Sequence, residues 1–123
     1  CLEAYCSGTS IAERAVEAGM DDGVTAADVA QAARAGNEIA SRVWDETCEA
    51  LACGLTSIAN LFEPEVIVLG GGVVRTGEQL LAPVRTSVAK QMIGPSVSIV
   101  AAASGDAVGV VGAAAIAYER VHR

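Results

Sequence analysis

The chain has 123 residues, room for one domain at most, and 52% of them are apolar although only one is Trp, one Phe and two Tyr. A formal net charge of −7 offers no basic patch, which argues against nucleic acid as a ligand of this segment. No apolar run reaches the ~18 residues that would suggest a membrane span, and the apolar excess is Ala, Val, Gly and Leu, which suits close-packed helices and buried parallel strands.

The first stretch, LEAYCSGTSIAERAVEAG, reads as one helix, or as two broken near Ser7-Gly8, with Ile11 and Val16 on an apolar face. MDDGV follows as a polar turn. Thr25 is placed to cap a helix over Ala26 to Ala35, because Asp28 sits three residues on and Gly36 is a natural stop. Asn37 caps the next helix, Glu38 to about Phe62, where Ile39, Val43, Leu51, Leu55, Ile58 and Leu61 keep helical spacing. On the same helix Ala50, Ala52 and Gly54 would let a neighbouring helix or a ligand come close. Cys6, Cys48 and Cys53 sit among Ala and Leu as small hydrophobes. Cys48 and Cys53 are five apart on the helix and point about 140° apart, which defeats a shared metal site.

Pro64 ends that helix, and Val66 to Leu69 reads as a buried strand running into glycine. A helical pattern returns from about Gly77 to Met92, with Pro83 expected to mark a break or a new first turn. Ser96 to Ala103 is the second strand, Ser104-Gly105-Asp106 the next turn, and Val108 to about Val121 a final Ala-rich helix. The order centres on a β-α-β unit, hence an α/β fold with parallel strands and a right-handed crossover. Two such strands among five helices do not make a balanced sheet, so part of the fold is expected to lie outside these residues. Cys1 in first position fits a piece of a longer chain better than a lipidated Cys, which would open a polar tether.

The stretch VIVLGGGVV, Val66 to Val74, asks why three side chains are given up in a row. Either helix packs on strand through a tight β-α turn, or a ligand approaches bare backbone N–H groups more closely than a Cβ allows. Beyond the carboxyl ends of parallel strands, such groups favour anionic oxygens. Neither a Gly-x-Gly-x-x-Gly dinucleotide pattern nor a Walker Gly-Lys-Ser/Thr is present.

Taken together, CLEAYCSGTSIAERA, ANLFEPEVIVLGGGVV and SGDAVGVVGAAAIA resemble, in order and spacing, the carboxyl-terminal half of the ROK family of repressors, open reading frames and sugar kinases. The resemblance implies a partial ribonuclease-H-like domain of the actin/hexokinase type over residues 1–123. It implies that Glu3 hydrogen-bonds sugar hydroxyls, a task that two carboxylate oxygens suit. Gly70, Gly71 and Gly72 match the loop that approaches the phosphates and ribose of ATP, used with Mg. Cys1 matches the last cysteine of the family's zinc motif, whose partner ligands lie upstream, so these residues alone should not hold zinc in a tetrahedral set. Gly105, Gly109 and Gly112 fall in the last block, where close helix packing near the nucleotide pocket is expected.

Phosphoryl transfer also needs a carboxylate base, which the family places in an Asn-Asp pair on the amino-terminal side. Asp21, Asp22, Asp28, Asp45 and Asp106 do not match that setting, and His122 beside the carboxyl end reads as solvated. No catalytic residue is therefore expected here. The resemblance implies a cytoplasmic, glucokinase-like parent that binds sugar and ATP, this portion being inactive alone. The alternative is a sugar-sensing, dimerising part of a ROK repressor; the uninterrupted glycines favour the kinase. The small-residue helices and apolar content lead us to expect self-association.

Overall fold

The computed structural model describes residues 1–103 and 108–121. The Leu2–Gly19 stretch forms two helices, α1 (Glu3–Cys6) and α2 (Gly8–Glu17). Ser7 divides them: its backbone is extended, and its Oγ accepts the Ser10 N–H at 3.1 Å as the N-cap of α2. Helix α3 (Ala26–Arg34) starts from a capping box in which the Thr25 hydroxyl accepts the Asp28 N–H while the Asp28 carboxylate accepts the Thr25 N–H. Helix α4 (Glu38–Phe62) is capped by Asn37 and stops at Glu63, whose left-handed φ of 46° precedes Pro64.

Strands β1 (Val66–Leu69) and β2 (Ser98–Ala101) are parallel, in the register Val66↔Ser98 to Leu69↔Ala101. β2 is shorter than the Ser96–Ala103 run of the sequence: paired positions cover only Ser98–Ala101 opposite the four-residue β1, with the Ala102 N–H donating to Leu69 O (2.8 Å) at the end of the ladder. Between the strands lies not one helix but a 3₁₀ turn, Gly72–Thr76, followed by α5 (Glu78–Gln91). Pro83 neither breaks nor begins α5; it lies inside it. Helix α6 (Val108–Val121) closes the chain.

The core is built around α4. Its Val43, Trp44, Cys48, Leu51 and Leu55 are buried against Ile11 of α2, Val29 of α3, and Leu80, Leu81, Val84 and Val88 of α5. Ile99 of β2 joins them, so one face of the sheet covers the helices. On the other face Val66 is 50% and Val68 58% exposed, unusual for parallel strands, which ordinarily bury both faces. Ile58 and Leu61 share the helical spacing of the buried positions yet are 42% and 74% exposed, while Thr56 and Ala59 on the neighbouring face of the same turns are buried. The close packing expected of Gly109 and Gly112 is not found: both are exposed, and a Cβ at either would meet nothing within 4 Å. Gly105 is outside the described residues.

Candidate functional site

The glycine loop begins where β1 ends. Gly70, Gly71 and Gly72 are exposed, and Gly71 takes φ 108° and ψ 169°, a conformation open essentially to glycine alone. Space in front of Gly71 and Gly72 is empty to 4 Å around a would-be Cβ. The chain then tightens into the 3₁₀ turn, with Val74 N–H donating to Gly71 O (3.2 Å) and Gly77 N–H to Val74 O (3.0 Å). The loop thus feeds a 3₁₀ turn, and α5 starts only at Glu78.

Three cavities flank it, the smallest, about 130 Å³, lying between Gly70, Gly71 and Ala101–Ala102 at the ends of the two strands. A cleft of about 940 Å³ lies between the 3₁₀ turn (Gly72, Val73, Arg75, Thr76) and the starts of α2 and α3. Its walls are tied together. Arg34 Nη2 donates to Thr76 O (3.1 Å), and Gln79 Nε2 donates to Ala30 O (2.7 Å). Among the described residues the lining carries two cations, Arg34 and Arg75, and no carboxylate, although the whole chain bears a net charge of −7. That sign, beside open backbone at Gly72, suits an anion. A second cavity of about 290 Å³ sets Gly70, Gly71 and Gly72 across from Cys6, Ser7 and Gly8 at the α1–α2 junction. The structure therefore brings the amino-terminal segment and the glycine loop, some 65 residues apart in sequence, onto one side of the molecule.

Glu3 lies on α1, exposed, and no described residue hydrogen-bonds its carboxylate. Cys1 is an exposed free thiol. Among the described residues no three His, Cys, Asp or Glu groups come together to hold a metal. Asp21, Asp22 and Asp45 are exposed and away from the cleft. Asp28 is committed to the capping box, where the Thr25 hydroxyl (2.7 Å) and N–H (2.8 Å) lower its pKa. Asp106 and His122 lie outside the described residues.

Four residues at the site had no sequence signal strong enough to single them out. Arg34 reads along the chain as a cation compensating the end of α3, and Gln79 as an ordinary helix former. Arg14 and Thr47 meet only through tertiary structure, where Arg14 Nη1 donates to Thr47 Oγ1 at 3.1 Å. The one clue to Arg14 is a charge three residues after the buried Ile11, on the flank of an apolar face.

Residues 1–120 match the sequence profile of the ROK family. The chain belongs to the ROK family. It is 30% identical to a glucokinase of Streptomyces coelicolor, an alignment that takes in 97% of this chain and 44% of the relative. A solved ROK-family glucokinase from Streptomyces griseus, in complex with glucose and AMPPNP, superposes with a TM-score of 0.82 at 31% identity over 94% of this chain and 44% of the other. A ROK-family transcriptional regulator, homologous to the MLC protein of E. coli, superposes at a TM-score of 0.67 over 82% of this chain and 28% of its own; at 22% identity it shows the fold alone. This ROK chain thus has the actin/hexokinase type of α/β fold, and it spans less than half the length of the curated relatives it matches. No described helix is long and apolar enough to cross a membrane.

Proposed function

We propose that this ROK chain is the carboxyl-terminal part of a cytoplasmic, ATP-dependent hexose kinase of the glucokinase type. In this reading it supplies one wall of the nucleotide site and one carboxylate of the sugar site. The observation that carries the reading is the cleft itself: two arginines and, among the described residues, no acid, opening on Gly72 where no described side chain stands in the way. Main-chain N–H groups of Gly70 to Gly72 hydrogen-bond phosphate oxygens, Arg34 and Arg75 offset their charge, and the cavity between α3 and the 3₁₀ turn receives the nucleoside. A divalent ion such as Mg, bound with the nucleotide, neutralises charge on the phosphates. Glu3 accepts hydroxyl hydrogens of the sugar. The base that takes the proton from the attacking hydroxyl comes from outside these residues, as do the further donors that would make Cys1 a zinc ligand. The 123-residue chain by itself is therefore expected to phosphorylate nothing.

Isothermal titration of ATP into the full-length protein, with a glucose phosphorylation assay, tests the reading. ATP binding and phosphorylation support it. Sugar binding with no ATP heat and no turnover would instead favour a sugar-sensing ROK repressor, the second reading suggested by the likeness to the transcriptional regulator.

A further inference from the structure

We infer that Arg14 and Gly54 are positioning residues that aim the Glu3 carboxylate, an inference that rests on the proposed sugar-binding role of Glu3. Helix α1 has four residues, a single turn with no stability of its own, so its placement must come from what it touches. Two anchors hold it, one on each side of Glu3. After Glu3, the Tyr5 carbonyl oxygen accepts from Arg14 Nη1 at 2.9 Å and from the Thr47 hydroxyl at 3.3 Å. The same guanidinium reaches Thr47 Oγ1 (3.1 Å), the Val43 carbonyl oxygen (3.2 Å) and a Glu46 carboxylate oxygen (2.8 Å), and it lies 5.1 Å from the centre of the Tyr5 ring. Its five donors in a rigid fork are what let one side chain clasp α1 to α4.

Before Glu3, Leu2 seats on Gly54 of α4. A Cβ at position 54 would stand 2.9 and 3.2 Å from the two Leu2 Cδ atoms, so any side chain there has to push the Leu2 side chain off its seat. Neither anchor touches Glu3. Between them they fix the only turn of backbone that carries it, and a carboxylate displaced by about 1 Å can lose on the order of a hundredfold in rate.

The test uses the full-length protein, with Arg14→Met and Gly54→Leu as separate variants. The Michaelis constants for glucose and for ATP are measured, together with amide hydrogen exchange in residues 4 to 7. Both variants are expected to raise the glucose constant roughly tenfold or more while the ATP constant stays within about twofold. Exchange should quicken at the Cys6 and Ser7 N–H groups, which close the α1 turn onto Leu2 O and Glu3 O. Should Arg14→Met fail to fold, Gly54→Leu still decides, since it sits outside the core and adds a good helix former to α4. Faster exchange with an unchanged glucose constant overturns the inference, and so does an equal rise in both constants. A wild-type protein that neither binds nor phosphorylates glucose overturns the kinase reading first, and is distinguished from these by being seen before any substitution.

Discussion

The indole nitrogen of Trp44 donates a hydrogen bond to the main-chain carbonyl oxygen of Gln79 at 3.3 Å, and Gln79 is four residues before Pro83. Proline has no N–H, so this carbonyl lacks the donor that any other residue at position 83 would supply. Trp44, 4% exposed on α4, fills that role from the neighbouring helix, which is how α5 runs through a proline without stopping. Trp44→Phe is expected to destabilise the fold by about 1–2 kcal/mol, since it strands a carbonyl as well as losing a bond. In a Pro83→Ala background the helix supplies its own donor, and the same substitution should cost about 1 kcal/mol less. Urea unfolding followed by far-ultraviolet circular dichroism reads both, Trp44 being the single tryptophan. Additive costs would remove the link between the indole and the proline.

Gly71 and Gly72 are glycines for different reasons, and substitution separates them. Gly71→Ala forces a side chain into φ 108°, ψ 169°, which should lower stability by about 1–3 kcal/mol whatever binds there. Gly72 has no such φ, and its front is open, so Gly72→Ala should change stability by less than about 0.5 kcal/mol. If the phosphates lie against Gly72, that alanine should still weaken ATP binding roughly tenfold, or about 1.4 kcal/mol, by titration calorimetry. Equal ATP affinity in wild type and Gly72→Ala would take Gly72 out of the phosphate wall.

The Cys48 thiol gives the stability of this protein an alkaline limit. Burial first, then the nearby Asp45 and Cys6, pushes its pKa from 9.0 up to about 11. Unfolded, the thiol ionises near 9.0; folded, it keeps its proton, so the unfolded state binds fewer protons and is favoured as pH rises. The contribution is complete below pH 9.0 and is lost as pH rises through about 11. Cys48→Ala should flatten the fall in unfolding free energy across that window, measured by urea titration at stepped pH. A thiol reagent at neutral pH should modify the exposed Cys1 and Cys53 first, and Cys48 only with unfolding.

Apolar side chains gather at the open end of α4. Leu61 is 74% exposed, Phe62 71% and Ile93 93%; Ile93 is held at that end by its N–H bond to Asn60 Oδ1 at 3.2 Å. Val66 and Val68 on the open sheet face add to these exposed apolar side chains, the kind of surface that marks a contact with another chain when it is contiguous. Light scattering on the 123-residue chain is expected to report a mass above that of one copy. Leu61→Lys with Phe62→Lys should lower it. A monomer at high concentration would count against self-association.

Much of the architecture was legible along the chain because its signals are local. Thr25 with Asp28, Asn37 before Glu38, and Pro64 after Phe62 are start and stop marks written within one turn, and the helices end where they say. Leu69 running into three glycines marked both the strand end and a stretch of bare backbone, since a missing Cβ is visible in sequence. The presence of the small residue Gly54 could be read, but not its use, because Leu2 is more than fifty positions away.

What the sequence by itself determined is where the elements lie, which face of each helix is apolar, and where backbone is left bare, all matters settled by neighbours a few residues apart. Only the tertiary structure decided that Arg34 and Arg75 line one cleft, that Trp44 completes a carbonyl Pro83 leaves open, and that Arg14 holds the turn bearing Glu3. Those are contacts between distant segments, and hydrogen bonds and charges act across space rather than along the chain.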